Sequence, residues 1–333
     1  MGDALALLEG LDVDGVELGS THVWREDFPD VVRRGWRGPL LCHNYFPPAR
    51  EDMIINLAST DAGVRRASVR HARECLAFAA EVGASLYTVH PGFLAEPMEK
   101  AKAAGDKGFD FRFAAVGAGQ DEAFAAMVES LADLVDVARL LGVGLAVETQ
   151  GSRTTPGVSV AERPADYERL LAEFPEDLLL TFNLAHTVLA AAEHGFSAED
   201  FVARFKHRFA AVELSHNDGF RDQHRPLTGD SFVLPWLKRL GDVPLILEFR
   251  DAVQADLAES IALVRQATTT RKDFNKPSPP SSGGRGLGEG GAEAPEMVPP
   301  APPPHPGPLP LEGEREQVAG MPKKRTSTIG WGK

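Results

Sequence analysis

Between residues 14 and 251 the chain repeats one pattern. A short, nearly unbroken apolar run closes on a polar residue, and a longer amphipathic stretch follows. The runs are DGVELG (14–19), GPLLCHNYF (38–46), SLYTVHPG (85–92), VGLAVETQG (143–151), LLLTFNLAH (178–186), FAAVELSH (209–216) and VPLILEFRD (243–251). Runs apolar on both faces predict parallel strands covered on both sides. Of the stretches between them, ASVRHARECLAFAAEVG sets Val69, Ala72, Leu76 and Ala79/Ala80 at helical spacing and stops at Gly83, a residue type suited to the left-handed cap that ends a helix. DEAFAAMVESLADLVDVARLLG is the longest predicted helix and ends at Gly142. Ser197 is placed to cap a helix that carries acidic residues in its first turn.

Strand–helix alternation on this scale predicts an α/β domain with a parallel sheet. No GxGxxG follows any of the strands, which favours a (β/α)8 TIM barrel over a doubly wound sheet. Residues 1–268 are assigned to that barrel. Only seven strands can be found, and the chain opens on DALALLEGL, read as a helix with no strand before it. The barrel is therefore expected to lack its first strand. An absent strand exposes two sheet edges, so a true start upstream of Met1 is the expectation, with a gapped barrel as the alternative.

Beyond residue 268 the pattern stops. KPSPPSSGGRGLGEGGAEAPEMVPPAPPPHPGPLPLEGEREQ is dominated by Pro and Gly and has no apolar period. Such a segment buries too little apolar surface to offset its ordering entropy. Residues 269–333 are expected to be a disordered tail, with a polyproline ligand as the alternative for PPAPPPHPGPLP.

Composition narrows the class of function. The formal net charge is −13, and the acidic excess belongs to the barrel rather than the tail. Affinity for phosphate backbones comes largely from Lys and Arg displacing counterions, so a nucleic-acid partner is not expected. No apolar run reaches the length of a membrane span, and the N-terminus lacks a basic region of the signal-peptide kind. Two cysteines, Cys42 and Cys75, make no disulfide framework, and a cytoplasmic location is expected. A homo-oligomer stays open.

The chemistry collects where the strands end. Glu17, His43, His90, Glu148, Asn183, Glu213 and Glu248 lie at strand C-termini, and His186, His216 and His224 lie just beyond. In a barrel those ends converge on one face. Several carboxylates brought together at a buried mouth repel one another unless a cation lies between them. Glu17 reads equally as a site group or as a strand-end salt-bridge partner. Cys42 should face away from His43 by strand alternation, His71 beside Arg70 and Arg73 reads as a solvated surface residue, and Trp236 reads as packing on the barrel.

In order, LLCHNYF with MIINLAS, TVHPG, LAVETQG, TFNLAHT, the stretch VELSHNDGFRDQH and LILEFRD resemble the motifs of the xylose-isomerase-like TIM-barrel superfamily. That superfamily contains sugar isomerases and epimerases as well as endonuclease-IV-type AP endonucleases. The resemblance covers about residues 1–268, minus the first strand. It implies a divalent metal site at Glu148, Asn183, Glu213 and Glu248, with His216 as the alternative nitrogen ligand. Two positions depart from the family: Asn183 stands where it has Asp, and Glu213 stands where it has His. An oxygen-rich shell of this kind favours Mn²⁺ or Mg²⁺, with Zn²⁺ as the alternative.

The activity the resemblance implies is a metal-dependent isomerase or epimerase of a small sugar, keto-sugar or polyol, a carbohydrate partner. Glu148 and Glu248 would pass protons through an enediolate, and His43, His90, His186, Asp222 and His224 would contact the substrate. An alternative is a metal-dependent phosphodiester hydrolase of the AP-endonuclease type with three zinc ions. It would recruit His43, His90, Glu148, position 183, His186, Glu213 or His216, Asp222, His224 and Glu248. A second alternative is a non-catalytic sugar-binding barrel whose metal site has decayed.

Overall fold

The computed structural model describes residue 8 and residues 10–19, 22–51, 53–102, 109–113 and 118–274. Seven parallel strands form a nearly closed barrel: β1 (Val16–Leu18), β2 (Leu40–His43), β3 (Leu86–Val89), β6 (Gly144–Glu148), β7 (Leu178–Asn183), β8 (Phe209–Leu214) and β9 (Leu245–Leu247), paired in that order. The two intervening strands belong to an antiparallel hairpin, β4 (Pro97–Lys102) and β5 (Phe109–Phe113), inserted after β3. Helices α1 (Phe28–Gly35), α2 (Ala62–Val82), α3 (Gln120–Leu141), α4 (Pro164–Glu173), α5 (Leu184–His194), α6 (Ala198–Phe205) and α7 (Gln254–Phe274) accompany the sheet.

All seven expected strands are present, each trimmed to its apolar centre, and the predicted TIM barrel is the fold. Among the described residues no ladder joins β1 to β9. The helix expected at the N-terminus falls largely outside the described residues, as does the tail from residue 275. Helix α7 runs to Phe274, past the expected end of the barrel at 268. No described helix is long and apolar enough to cross a membrane.

Strand alternation sorts the side chains into two layers. Outward-facing Cys42, Tyr87, Val147, Leu180, Phe182 and Val212 are buried under Ala72, Leu76, Met127, Leu131 and Tyr167 of the helices in one continuous core. Inside the barrel a small plug of Leu86, Ala146 and Ala211, flanked by Leu41, Leu179 and Ile246, fills the floor. Two residues further along each strand the inner layer turns polar. The Thr88 and Thr181 hydroxyls hydrogen-bond at 2.7 Å, and His43, Glu148, Asn183 and Glu213 stand at the same level or above.

The helix ends follow local chemistry. Asp61 caps α2 by accepting from the backbone N–H groups of Gly63 and Val64, and Ser197 caps α6 by accepting from Asp200. Gly83 and Gly142 close α2 and α3 at φ 77° and 68°, a left-handed conformation that costs any other residue free energy. His71 corrects the sequence reading. It is buried, with its ring 3.6 Å from the Cys75 sulfur, because it shares the inward stripe of α2 with Ser68, Ala72 and Cys75 at three- and four-residue spacing.

Candidate metal centre

Glu148, the last residue of β6, is the hub of the barrel mouth. Its Oε2 lies 2.6 Å from His90 Nε2 and 2.9 Å from His43 Nε2. Its Oε1 lies 2.9 Å from His186 Nδ1 and accepts from Asn183 Nδ2 at 3.1 Å. From His186 the network continues through Nε2 to Asp222 Oδ2 at 3.4 Å, and Asp222 Oδ2 lies 2.8 Å from His224 Nε2. His224 Nδ1 is 3.0 Å from Glu248 Oε2, which accepts from Asn183 Nδ2 at 3.2 Å and so closes a ring. Arg250, two residues after Glu248, reaches Asp222 Oδ2 at 3.4 Å.

The chain folds to hold these groups rigidly. His43, Glu148, Asn183 and Glu213 lie at or next to strand ends and point inward by the two-residue period, and each is buried. His186 sits in the first turn of α5, which Asn183 caps by accepting from the His186 backbone N–H at 3.1 Å. His224 adopts φ 46°, a sparsely populated conformation for a residue with a Cβ, kept where the surroundings dictate it. Gly151, just after β6, packs so tightly on α5 that a Cβ there would collide with the His186 carbonyl oxygen and with Ala190.

Charge and burial compete strongly here. Burial works against ionised Glu148, but the charge of His90 and hydrogen bonds from His186, His43 and His90 hold its carboxyl well below the usual range. Asp222 is likewise held well below its usual value, against burial, by His224 and His186. Burial would lower His43 and His224, but Glu148 and Glu17 push the first up to about 9, and Asp222 and Glu248 push the second up to about 10. Glu213 goes the other way. Burial and the neighbouring charges of Glu148, Glu248 and Glu17 raise it well above the usual range. Glu17 rises to about 7, mainly through burial, and its Oε1 is buried without a hydrogen-bond partner.

Among the described residues, three groups of side chains could hold a cation: His43, His90 and Glu148; His186, Asp222 and His224; and Glu148, Glu213 and Glu248. Within each, one ligand atom per residue lies within 4.8 Å of the others, a spread compatible with metal–ligand bonds of roughly 2 Å. The first two groups mix two imidazole nitrogens with a carboxylate and fit a divalent transition ion. The third is all carboxylate, with the Asn183 amide nitrogen among its oxygens. A cavity of about 1260 Å³ opens onto every residue of these groups except Glu213 and extends down the barrel wall between β1 and β9.

Nine of the residues expected at the site, Asn183 and the eight of these groups, are thus gathered at one mouth. His216 is not among them. It lies past the end of β8, pairs backbone to backbone with Arg225, and sets its ring 5.7 Å from that of Phe232. Sequence reasoning missed Arg250, although its spacing from Glu248 places both on one face.

A family model described as a xylose isomerase-like TIM barrel matches residues 24–267. Among solved structures, the TTHB071 protein from Thermus thermophilus, soaked with ZnCl2, is 23% identical with a TM-score of 0.55, covering 79% of this chain and 93% of that one. A D-tagatose 3-epimerase-like protein is 14% identical with a TM-score of 0.64, covering 82% and 95%. The apo form of 3-keto-D-glucoside 4-epimerase, YcjR, from E. coli is 14% identical with a TM-score of 0.55, covering 80% and 94%. At these identities the likeness establishes the fold. No curated protein matches the chain.

Proposed function

The chain belongs to the xylose-isomerase-like TIM-barrel family, and on that premise we propose that it is a divalent-metal-dependent isomerase or epimerase of a small sugar, keto-sugar or polyol. The observation that carries this reading is the placement of Glu148 and Glu248. From β6 and from the end of β9, their carboxylates come within 3.1 and 3.2 Å of one atom, Asn183 Nδ2. Two carboxylates that converge from different walls of a cavity can remove a proton from one side of a carbon and return it to the other. His186 and His224, bonded to those same carboxylates, orient them. A bound divalent ion supplies the Lewis acidity that makes a proton next to a carbonyl removable. The nitrogen donors of the two histidine-bearing groups widen the ion choice from Mn²⁺ and Mg²⁺ towards Zn²⁺.

The test is exchange chemistry. Protein loaded with Mn²⁺ or Zn²⁺ is incubated in D₂O with a panel of ketopentoses and ketohexoses, and deuterium at the carbon next to the carbonyl is followed by NMR. Exchange that disappears in Glu148→Gln and Glu248→Gln is expected; no exchange with any sugar of the panel would sink the reading. A metal-dependent phosphodiester hydrolase is the second reading, favoured by the presence of both histidine-bearing groups around one mouth. Cleavage of bis(p-nitrophenyl) phosphate or nicking of abasic duplex DNA would bring it to the front.

A further inference from the structure

We infer that this chain seats divalent cations in the two histidine-bearing groups flanking the barrel mouth and none at the central three-carboxylate position, where the Asn183 amide takes the ion's place. The inference rests on the reading of the protein as a metalloprotein. The Asn183 Nδ2 donates to Glu213 Oε2 at 2.8 Å, Glu148 Oε1 at 3.1 Å and Glu248 Oε2 at 3.2 Å. Those are the three residues of the central group. The two hydrogens of the NH₂ group, shared among three carboxyl groups, answer their charge with a partial positive one, and the nitrogen lone pair is delocalised into the amide and not offered to an ion.

The orientation of the amide is set by its other end. The Asn183 Oδ1 accepts the backbone N–H of His186 at 3.1 Å, and a backbone N–H can only donate. Exchanging the two ends would oppose NH₂ to N–H at the start of α5 and the amide oxygen to three carboxylates. The oxygen that could coordinate is therefore committed to the helix cap. Asn183 is buried, and its own backbone N–H is bonded to Thr149 Oγ1 at 2.9 Å, so the side chain is held from both directions.

The flanking groups face no such obstacle. His43 and His90, from β2 and the end of β3, bring Nε2 atoms to the same oxygen of Glu148, at 2.9 and 2.6 Å. His186 and His224 bring Nε2 atoms to the same oxygen of Asp222, at 3.4 and 2.8 Å. Each group supplies two nitrogens and one oxygen and leaves a fourth position for substrate or water, the pattern of an open catalytic site.

The test counts ions. Purified full-length protein is stripped with chelator, reloaded with ZnCl₂ or MnCl₂, dialysed, and assayed by elemental analysis, with thermal melting as the folding control. The wild type is expected to hold about two ions per chain. His90→Ala and His224→Ala should each lower that count by about one, and Glu213→Gln should leave it unchanged. Asn183→Asp keeps an oxygen for the helix cap and should raise the count by about one. A wild type with a single ion that Glu213→Gln removes and His90→Ala spares would overturn the inference, as would three ions in the wild type. No bound ion would sink both the inference and metal dependence. Two ions without sugar exchange would leave the inference standing and remove only the proposed activity.

Discussion

The barrel has two unlike halves. On one side β6, β7 and β8 are five or six residues long, paired on both edges and almost entirely buried. On the other, β1 and β9 are three residues each and largely half-buried, and no described ladder joins them. The same contrast runs through the site. Glu148 on the closed side has 1% of its side chain exposed, whereas Glu248 on the open side has 29%. Across the seam, Arg265 of α7 reaches back to the Asp12 carbonyl oxygen at 2.6 Å and to its carboxylate at 3.1 Å. Rigid strands hold the shared ligand, and the yielding edge faces the cavity, so the closed half sets geometry while the open half sets access.

That division can be broken by substitution. The largest effects are expected for Glu148→Gln and Glu248→Gln, each of which should cut proton-exchange activity by about 10³-fold, within the usual range for a positioned acid or base; only Glu148→Gln should also lower the bound-ion count, and an equal loss of ions in Glu248→Gln would erase the contrast. Phe182→Ala follows. Its ring is fully buried on β7, stacked on Phe209 at 4.5 Å and near Phe201 at 5.9 Å. It should cost about 4 kcal/mol by denaturant unfolding. Gly151→Ala should cost about 2 kcal/mol by forcing α5 off β6, and should weaken ion binding at His186 before the first group is touched. Leu245→Ala on β9, already half-exposed, should cost only about 1 kcal/mol; a cost equal to that of Phe182→Ala would erase the contrast. Arg265→Ala is expected to move the thermal midpoint least, with the difference vanishing at high salt, because its ion pairs are exposed.

The barrel is legible because parallel strands buried on both faces write themselves as apolar runs, and because polar residues at their ends stand out against them. The β4–β5 hairpin is not. PMEKAK and FDFRF pair with each other rather than with the sheet, and a pairing between two insert segments leaves no mark in a strand–helix rhythm. His71 misleads because its arginine neighbours along the chain outweigh its partners one turn away. Between Glu213 and His216, the two-residue period from Ala211 points Glu213 inward while His216 falls past the strand. What no pattern could reveal is which end of the Asn183 amide faces the carboxylates, since that depends on a capping contact with the next helix.

Glu148 has one further consequence. One of its oxygens belongs to the first histidine-bearing group, and the other accepts from His186, a member of the second. The two groups therefore communicate through a single carboxylate. An ion that draws on one oxygen changes how firmly the other orients His186, and thermodynamic linkage makes the influence reciprocal. Loading should be cooperative, with either sign, and a calorimetric titration of wild type against His90→Ala would measure it as a change in affinity at a site that the substitution never touches.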